Sequence, residues 1–337
     1  MSTIPTGTGT PTSQFEHASK LVKSRSADTF IWWPHARMIA CFNSVVTGPI
    51  TLETLLRWFN QIDDFGGIDI VELKRVSLKA HKPFRYQLYS TENALKSSDT
   101  LPPGDYGYFL TGCSDKYGGD RPCPFWGKTS VGSLGAIRRQ FSLLEDDIQD
   151  SFRETVSVRD GVRCMFTESD DSVDVHWITP PSAYMGIPSP MGKPSLISEE
   201  DLKETSNLLP MRSDIHELWD SNSFSVDVDD EYRIRIFNQD ALKAELPPRL
   251  KTVPTDKYMS AYLRIHFRQT LIVGLLGGDI SYDHSPREVK RMTKALLNPE
   301  SGENHVPFDD DRWKTDIGKE IFRYNFEETS QLETEAP

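Results

Sequence analysis

The sequence predicts an α+β protein built from two patterned regions with a loop-rich passage between them. Three observations lead there. Short stretches such as 84–89 and 224–228 have the composition and alternation of half-buried strands. Elsewhere apolar residues recur at three- and four-residue intervals, as at Leu52, Leu55, Leu56 and Phe59, which is the stripe of a helix. Residues 111–135 between the two regions are rich in Gly, Pro and Ser and carry neither pattern. With 337 residues, the chain is long enough for two compact domains.

Residues 1–14 are a Ser/Thr/Pro/Gly stretch, for which disorder is expected. A small β-rich or α+β domain is expected over 15–125. It contains a short helix over 15–26, a strand over 37–46, a helix opened by Thr51 as N-cap, and strands over 68–76, 84–89 and 106–110. Leu101-Pro102-Pro103-Gly104-Asp105 is a turn. Residues 126–151 hold linker and most of a helix predicted over 136–160, striped by Ile137, Phe141, Leu144, Ile148 and Phe152. The second domain is expected over 152–297. It opens on the turn Arg159-Asp160-Gly161, followed by a hairpin of strands 162–167 and 173–178 and a Pro-rich connection over 179–197. Ser198 with Asp201 resembles a capping box, and a short helix covers 212–220. A second hairpin, 224–228 with 232–237, turns at Asp229-Asp230, and helices follow over 256–276 and 286–297. Residues 298–337 form an acidic tail, and no internal repeat is present.

Hydrophobic residues are 37% and charged residues 26%, polar for a folded protein, yet the apolar residues fall into these patterns, so a folded chain is expected. No run reaches the roughly 20 apolar residues of a membrane span, and the first residues lack a secretory signal's basic-then-apolar order. An intracellular protein, nuclear or cytoplasmic, is expected. Cys41, Cys113, Cys123 and Cys164 have no C-x-x-C spacing and read as separate free thiols in a reducing compartment, with zinc at Cys113 and Cys123 the less favoured alternative. The net charge of −12 works against phosphate binding, although residues 249–294 hold nine Lys/Arg against four Asp/Glu. That stretch is either a local phosphate-facing surface or an ordinary solvated helix face.

The chemistry-bearing residues lie in order along the second region. Arg159-Asp160-Gly161 precedes Cys164-x-x-Thr167, then Asp174-Val175-His176-Trp177-Ile178, then Asn207 and, nine residues on, His216, with Trp219-Asp220 closing the run. This set resembles the HNH endonuclease family, and in particular a subgroup found mainly in fungi. In that subgroup Ala-His-Ile stands where Val175-His176-Trp177 stands here, and Phe-Asp where Trp219-Asp220 stands. The resemblance extends over about 152–297, including the second hairpin and the helix around Tyr262-Leu263-Arg264-Ile265-His266-Phe267-Arg268-Gln269. Leu101 to Tyr106 is faintly similar to the N-terminal domain of the same proteins.

The resemblance implies a ββα-metal (HNH) module with flanking helices, hydrolysing phosphodiester bonds in DNA with one divalent ion, Mg2+, Mn2+, Ni2+ or Zn2+. It implies His176 as general base, His216 as metal ligand and Asn207 as the residue that pins the loop and orients His176. Many family members carry a ligand just before the first His, where this chain has Val175. Asp174, two before His176 on a strand, shares its face and is the expected second ligand; Asp214 is a weaker candidate. The alternative reading is a catalytically degenerate HNH fold that binds nucleic acid or protein. The acidic charge, Val175 and Trp177 favour it. A third reading is a structural scaffold in which the N-terminal domain binds a protein partner.

Other residues read as structure. His266 lies among apolar neighbours and is expected to be a satisfied packing histidine. Arg264 and Arg268, four apart, are expected either to touch phosphates or to pair with acids. Trp32-Trp33 is expected in a core or interface. Gly274, Gly277 and Gly278 end a helix and make no phosphate loop, and no Gly-x-Ser-x-Gly of a serine hydrolase is present.

Overall fold

The computed structural model describes residues 19–33, 37–62, 71–89, 93–110, 146–182, 198–298 and 305–327. Cys113, Cys123, residues 1–14, the passage 111–135 and the end of the acidic tail lie outside them. Helix α1 (Lys20–Arg25) leads into strands β1 (Thr29–Trp33) and β2 (Arg37–Phe42), short helix α2 (Ser44–Thr47) and helix α3 (Leu52–Ile62). Strands β3 (Val71–Arg75), β4 (Ser77–Lys82), β5 (Arg85–Tyr89) and β6 (Gly104–Leu110) follow. The strand expected over 37–46 ends at Phe42, because the Asn43 side chain accepts from the backbone N–H of Val45 and Val46 and starts α2. Thr51 caps α3 as expected, its hydroxyl accepting from Thr54 N at 3.2 Å.

One four-stranded sheet has the order β2-β1-β6-β3, with β1 and β6 parallel and the other pairs antiparallel. The helical stripe of α3 covers it: Leu52, Leu55, Trp58, Phe59 and Ile62 are buried together with Ile31, Leu73 and Tyr106. Phe237, Phe267, Leu271 and Leu275, from far along the chain, complete the same core. Trp32 is buried, and its indole N–H donates to Asp105 at 2.8 Å, whose carboxyl is pushed up to about 6 by burial.

In the second region, helix α4 (Asp150–Asp160) precedes strand β7 (Val173–Trp177) and short helix α5 (Glu199–Leu202). Strand β8 (Leu208–Arg212), helix α6 (Ser213–Asp220), hairpin strands β9 (Phe224–Asp227) and β10 (Arg233–Ile236), and helices α7 (Lys257–Gly274), α8 (Pro286–Leu297) and α9 (Asp316–Phe322) complete it. Two expectations are corrected. The helix expected over 136–160 is helical, among its described residues, only from Asp150. Residues 146–149 lie outside the helix, with Asp146 accepting the Trp177 indole N–H at its carbonyl and Ser182 at its carboxylate. Residues 162–167 are not a strand either: they are a turn that buries Cys164 and Phe166, and β7 pairs antiparallel with β8 instead. Pro210 weakens the sequence signal of β8, yet it sits in a two-stranded ladder where its carbonyl accepts from Met165 N at 2.9 Å. Residues 305–327 of the acid-rich end fold: Trp313, Ile317 and Ile321 pack with Leu296 and Phe84, and buried Glu320 accepts from Phe84 N at 3.1 Å and pairs with Arg323 at 3.0 Å.

The two regions meet at a buried ion pair. Asp227, fully buried in β9, accepts two hydrogen bonds from the Arg57 guanidinium at 2.6 and 2.7 Å and a third from the Trp58 indole at 2.9 Å. Arg25 of α1 adds a second tie, donating to the carbonyls of Val273, Leu275 and Leu276 at 2.6–2.9 Å and so capping the C-terminal end of α7. Asp227→Ala strands Arg57 and Trp58 without their acceptor. It is expected to cost about 3–5 kcal/mol, the usual scale for breaking a buried pair, seen as a lower denaturant midpoint for the whole chain.

Candidate active site

Strand β7 alternates, and the alternation decides which groups meet. Val175 and Trp177 point under α4, where they pack with Val156, Leu208, Ile148 and Phe152. Trp177 is therefore a core residue rather than an obstruction, and position 175 faces away from α6. Period two places Asp174 and His176 on the other face. On α6, Ile215 and Trp219 face the core four residues apart, which turns His216 and Asp220, also four apart, towards β7. The outcome is a stacked pair: the rings of His176 and His216 lie 3.6 Å apart between centroids at 20°.

Asn207 is fully buried at the entry to β8. Its amide donates to the carbonyls of Thr179 at 2.7 Å and Leu202 at 2.8 Å, and its oxygen accepts from Thr179 N at 3.0 Å. Its own carbonyl accepts from Ile178 N at 2.8 Å. It thus ties the end of β7 to the start of β8. Any orientation of His176 comes through this register, in which His176 lies opposite Leu209.

The acids divide differently from the expectation. Asp174 is exposed, ion-paired with Arg153 of α4, and accepts from Val175 N at 2.7 Å. Asp214 accepts from Nε and Nη2 of Arg212, at 2.6 and 2.7 Å. The acid that reaches His216 is Asp220, its Oδ1 3.3 Å from His216 Nε2. Asp220 was not singled out among the sequence candidates. The signal that would have found it is its spacing of four from His216 on one helix.

His176 is half-buried, and its Nε2 is buried with no hydrogen-bond partner. Burial first, and the neighbouring His216 second, push its imidazole down to about 4, against the opposing pull of Asp174 and Asp220. It is a neutral acceptor at pH 7. Among the described residues, no three His, Cys, Asp or Glu side chains are gathered as a metal cage. The pair His216 and Asp220 is a two-donor arrangement. Two donors each about 2.1 Å from a common ion stand roughly 3.0–3.4 Å apart at ordinary coordination angles, which matches their separation.

Behind α6, His266 of α7 is the packing histidine that its neighbours suggested. Its ring lies flat on Trp219, 3.6 Å between centroids at 9°. Nε2 donates to the Trp219 carbonyl at 3.2 Å, so Nδ1 is the acceptor and receives the Ser225 hydroxyl at 2.8 Å. Trp219 in turn donates its indole N–H to Ile178 O at 3.0 Å, linking α6 to the end of β7. The remaining cations resolve too: Arg264 pairs with Asp229 at 2.9 Å, and Arg268 donates to Ile62 O at 2.8 Å.

Comparison with known proteins is consistent with this segment's architecture. Residues 164–227 match the HNH endonuclease family. This segment belongs to that family. The match spans the turn that buries Cys164, the His176 strand, Asn207, the His216 helix and β9 up to Asp227. No curated protein matches the chain, and no solved structure matches it. No helix among the described residues is long and apolar enough to cross a membrane.

Outside the HNH pair, His266 has a consequence for stability. Burial pushes its imidazole down to about 3, so the unfolded chain takes up a proton below its ordinary value of about 6.5 that the native chain refuses. The stabilisation is complete above pH 6.5 and falls as pH drops from there towards 3. Denaturant midpoints measured from pH 7.5 to 5 are expected to fall less steeply in His266→Phe than in the wild type, by up to one proton's contribution to the slope.

Proposed function

We propose that the chain is a divalent-metal-dependent HNH-type endonuclease acting on DNA. The observation that carries the proposal is the meeting of His176, His216 and Asp220 on a β7–β8–α6 unit within a segment of that family. In this reading His176 is the general base. Its unpartnered, neutral Nε2 accepts a proton from water as the water oxygen attacks phosphorus and one P–O ester bond breaks. Asp174, within electrostatic reach of His176, favours the imidazolium formed in that step. His216 and Asp220 would hold the ion, Mg2+, Mn2+, Ni2+ or Zn2+, with Asp174 as the alternative oxygen donor. A nitrogen and a carboxylate oxygen suit such divalent ions, and two protein donors leave room for water and substrate oxygens. When bound, such a cation would supply charge neutralisation for the phosphodiester and its departing alkoxide. Asn207 maintains the register that sets His176 opposite α6. The Arg159-Asp160-Gly161 run that ends α4 and the Asn207 to His216 spacing support placement in the mainly fungal subgroup.

A second reading, a degenerate HNH fold that binds nucleic acid or protein without cleaving, draws on Val175. The position where many family members carry a ligand is core here, under α4. Incubation of supercoiled plasmid with the protein and each of the four metals separates the two. Metal-dependent nicking is expected, falling roughly 100- to 10,000-fold in His176→Ala. His216→Ala and Asp220→Ala are expected to lose metal binding by calorimetry. Absence of cleavage with every metal, together with no metal bound by the wild type, favours the degenerate reading.

A further inference from the structure

A nuclease with a net charge of −12 must present positive charge locally to hold a polyanion. Near the candidate site that charge is largely cancelled. Arg153 is paired with Asp174, Arg159 with Asp160, Arg212 with Asp214, and Lys251 with Glu168. Arg249 is paired with Asp230 and Glu231. The picture changes on α8. Arg287, Lys290, Arg291 and Lys294 stand at i, i+3, i+4 and i+7, which is one face of a helix, and all four are exposed. Among the described residues none of the four enters an ion pair. The opposite face is anchored: Leu296 is buried, and Val289 and Met292 pack on the cluster around Trp313. The helix is also firmly started, with the Ser285 hydroxyl accepting from Glu288 N at 3.1 Å and Pro286 in its first turn. The four cations are therefore carried on a helix whose opposite face and first turn are both held.

We infer that this face of α8 is a docking surface for the phosphate backbone of duplex DNA. The inference rests on the nuclease reading for its choice of polyanion. Charge complementarity selects the occupant, and the chemistry of the face limits what it reads. The exposed positions include no aromatic side chain to stack on an unpaired base, and no Asn or Gln to read an adenine edge. The contact is to phosphates and is independent of sequence.

The test is binding of a fluorescein-labelled duplex to the full chain by anisotropy in EDTA, between 50 and 200 mM NaCl. Arg287→Gln, Lys290→Gln, Arg291→Gln and Lys294→Gln are combined in one variant. Each phosphate contact contributes about 0.9 to the slope of log K against log salt. The variant is expected to bind at least about tenfold more weakly at low salt and to lose a slope of about 3 to 4. Lys290→Gln with Lys294→Gln alone is expected to lose about half of that slope, which guards against a folding defect in the larger variant; both are checked by thermal melting. Wild-type affinity and slope in the quadruple variant overturn the inference, as does the absence of duplex binding by the wild type. Equal binding to phosphatidylserine vesicles overturns the assignment to DNA. Failure of the nuclease reading is distinguishable: it shows as lost cleavage and metal binding, neither of which this assay measures.

Discussion

The carboxylate of Asp227 is the constraint on which the architecture turns. A fully buried acid is tolerable only when its charge is matched and its lone pairs are filled. All three hydrogen-bond donors come from one turn of α3, the two arms of Arg57 and the indole of Trp58. The buried carboxylate of β9 is therefore matched by donors that the first region alone supplies. Neighbouring acids follow the same logic. Asp229 is held by Gln61 and Arg264, and Asp230 by Arg233 and Arg235, with the Arg235 guanidinium 5.3 Å over the Trp58 ring. An acid-rich turn that would repel itself in isolation becomes the junction between distant parts of the chain.

The candidate site inherits its geometry from that junction. Strand β9 supplies Ser225 to His266, His266 supports Trp219, Trp219 grips the end of β7 at Ile178, and Asn207 closes the ring between β7 and β8. His176 and His216 are brought to 3.6 Å by elements whose spacing is set behind them. A buried, neutral histidine suits the inner position, because burial removes its charge and leaves one donor and one acceptor for two fixed partners.

Legibility in the sequence followed the range of the forces involved. Helix α8 was readable to the residue, because Ser285, Pro286 and a period near 3.6 are local signals. The hairpin β9–β10 was readable from its turn at Asp229-Asp230. The mispaired strand was not. Residues 162–167 have strand-like composition, but Cys164 and Phe166 are buried through a turn, and the partner of β7 lies about 35 residues further on, behind a proline. Strands β1 and β4 were missed although each pairs with the next strand along the chain, β1 with β2 and β4 with β5; only the pairing of β1 with β6 is decided far away in the chain. At the site, His176, Asn207 and His216 were legible from order and spacing. Asp220 was not, because a carboxylate at the end of a helix is ordinary until the helix is rotated against a strand.

What the sequence determined by itself was the set of local elements and the order of His176, Asn207 and His216, because capping, periodicity and motif spacing act within a few residues of each other. What the tertiary structure decided was which acid stands beside His216, which face Val175 occupies and which cations remain unpaired. Those depend on the docking of α4 and α6 on β7 and of α3 on β9, and a charge or a ligand takes its meaning only from the groups that packing brings within a few ångströms of it.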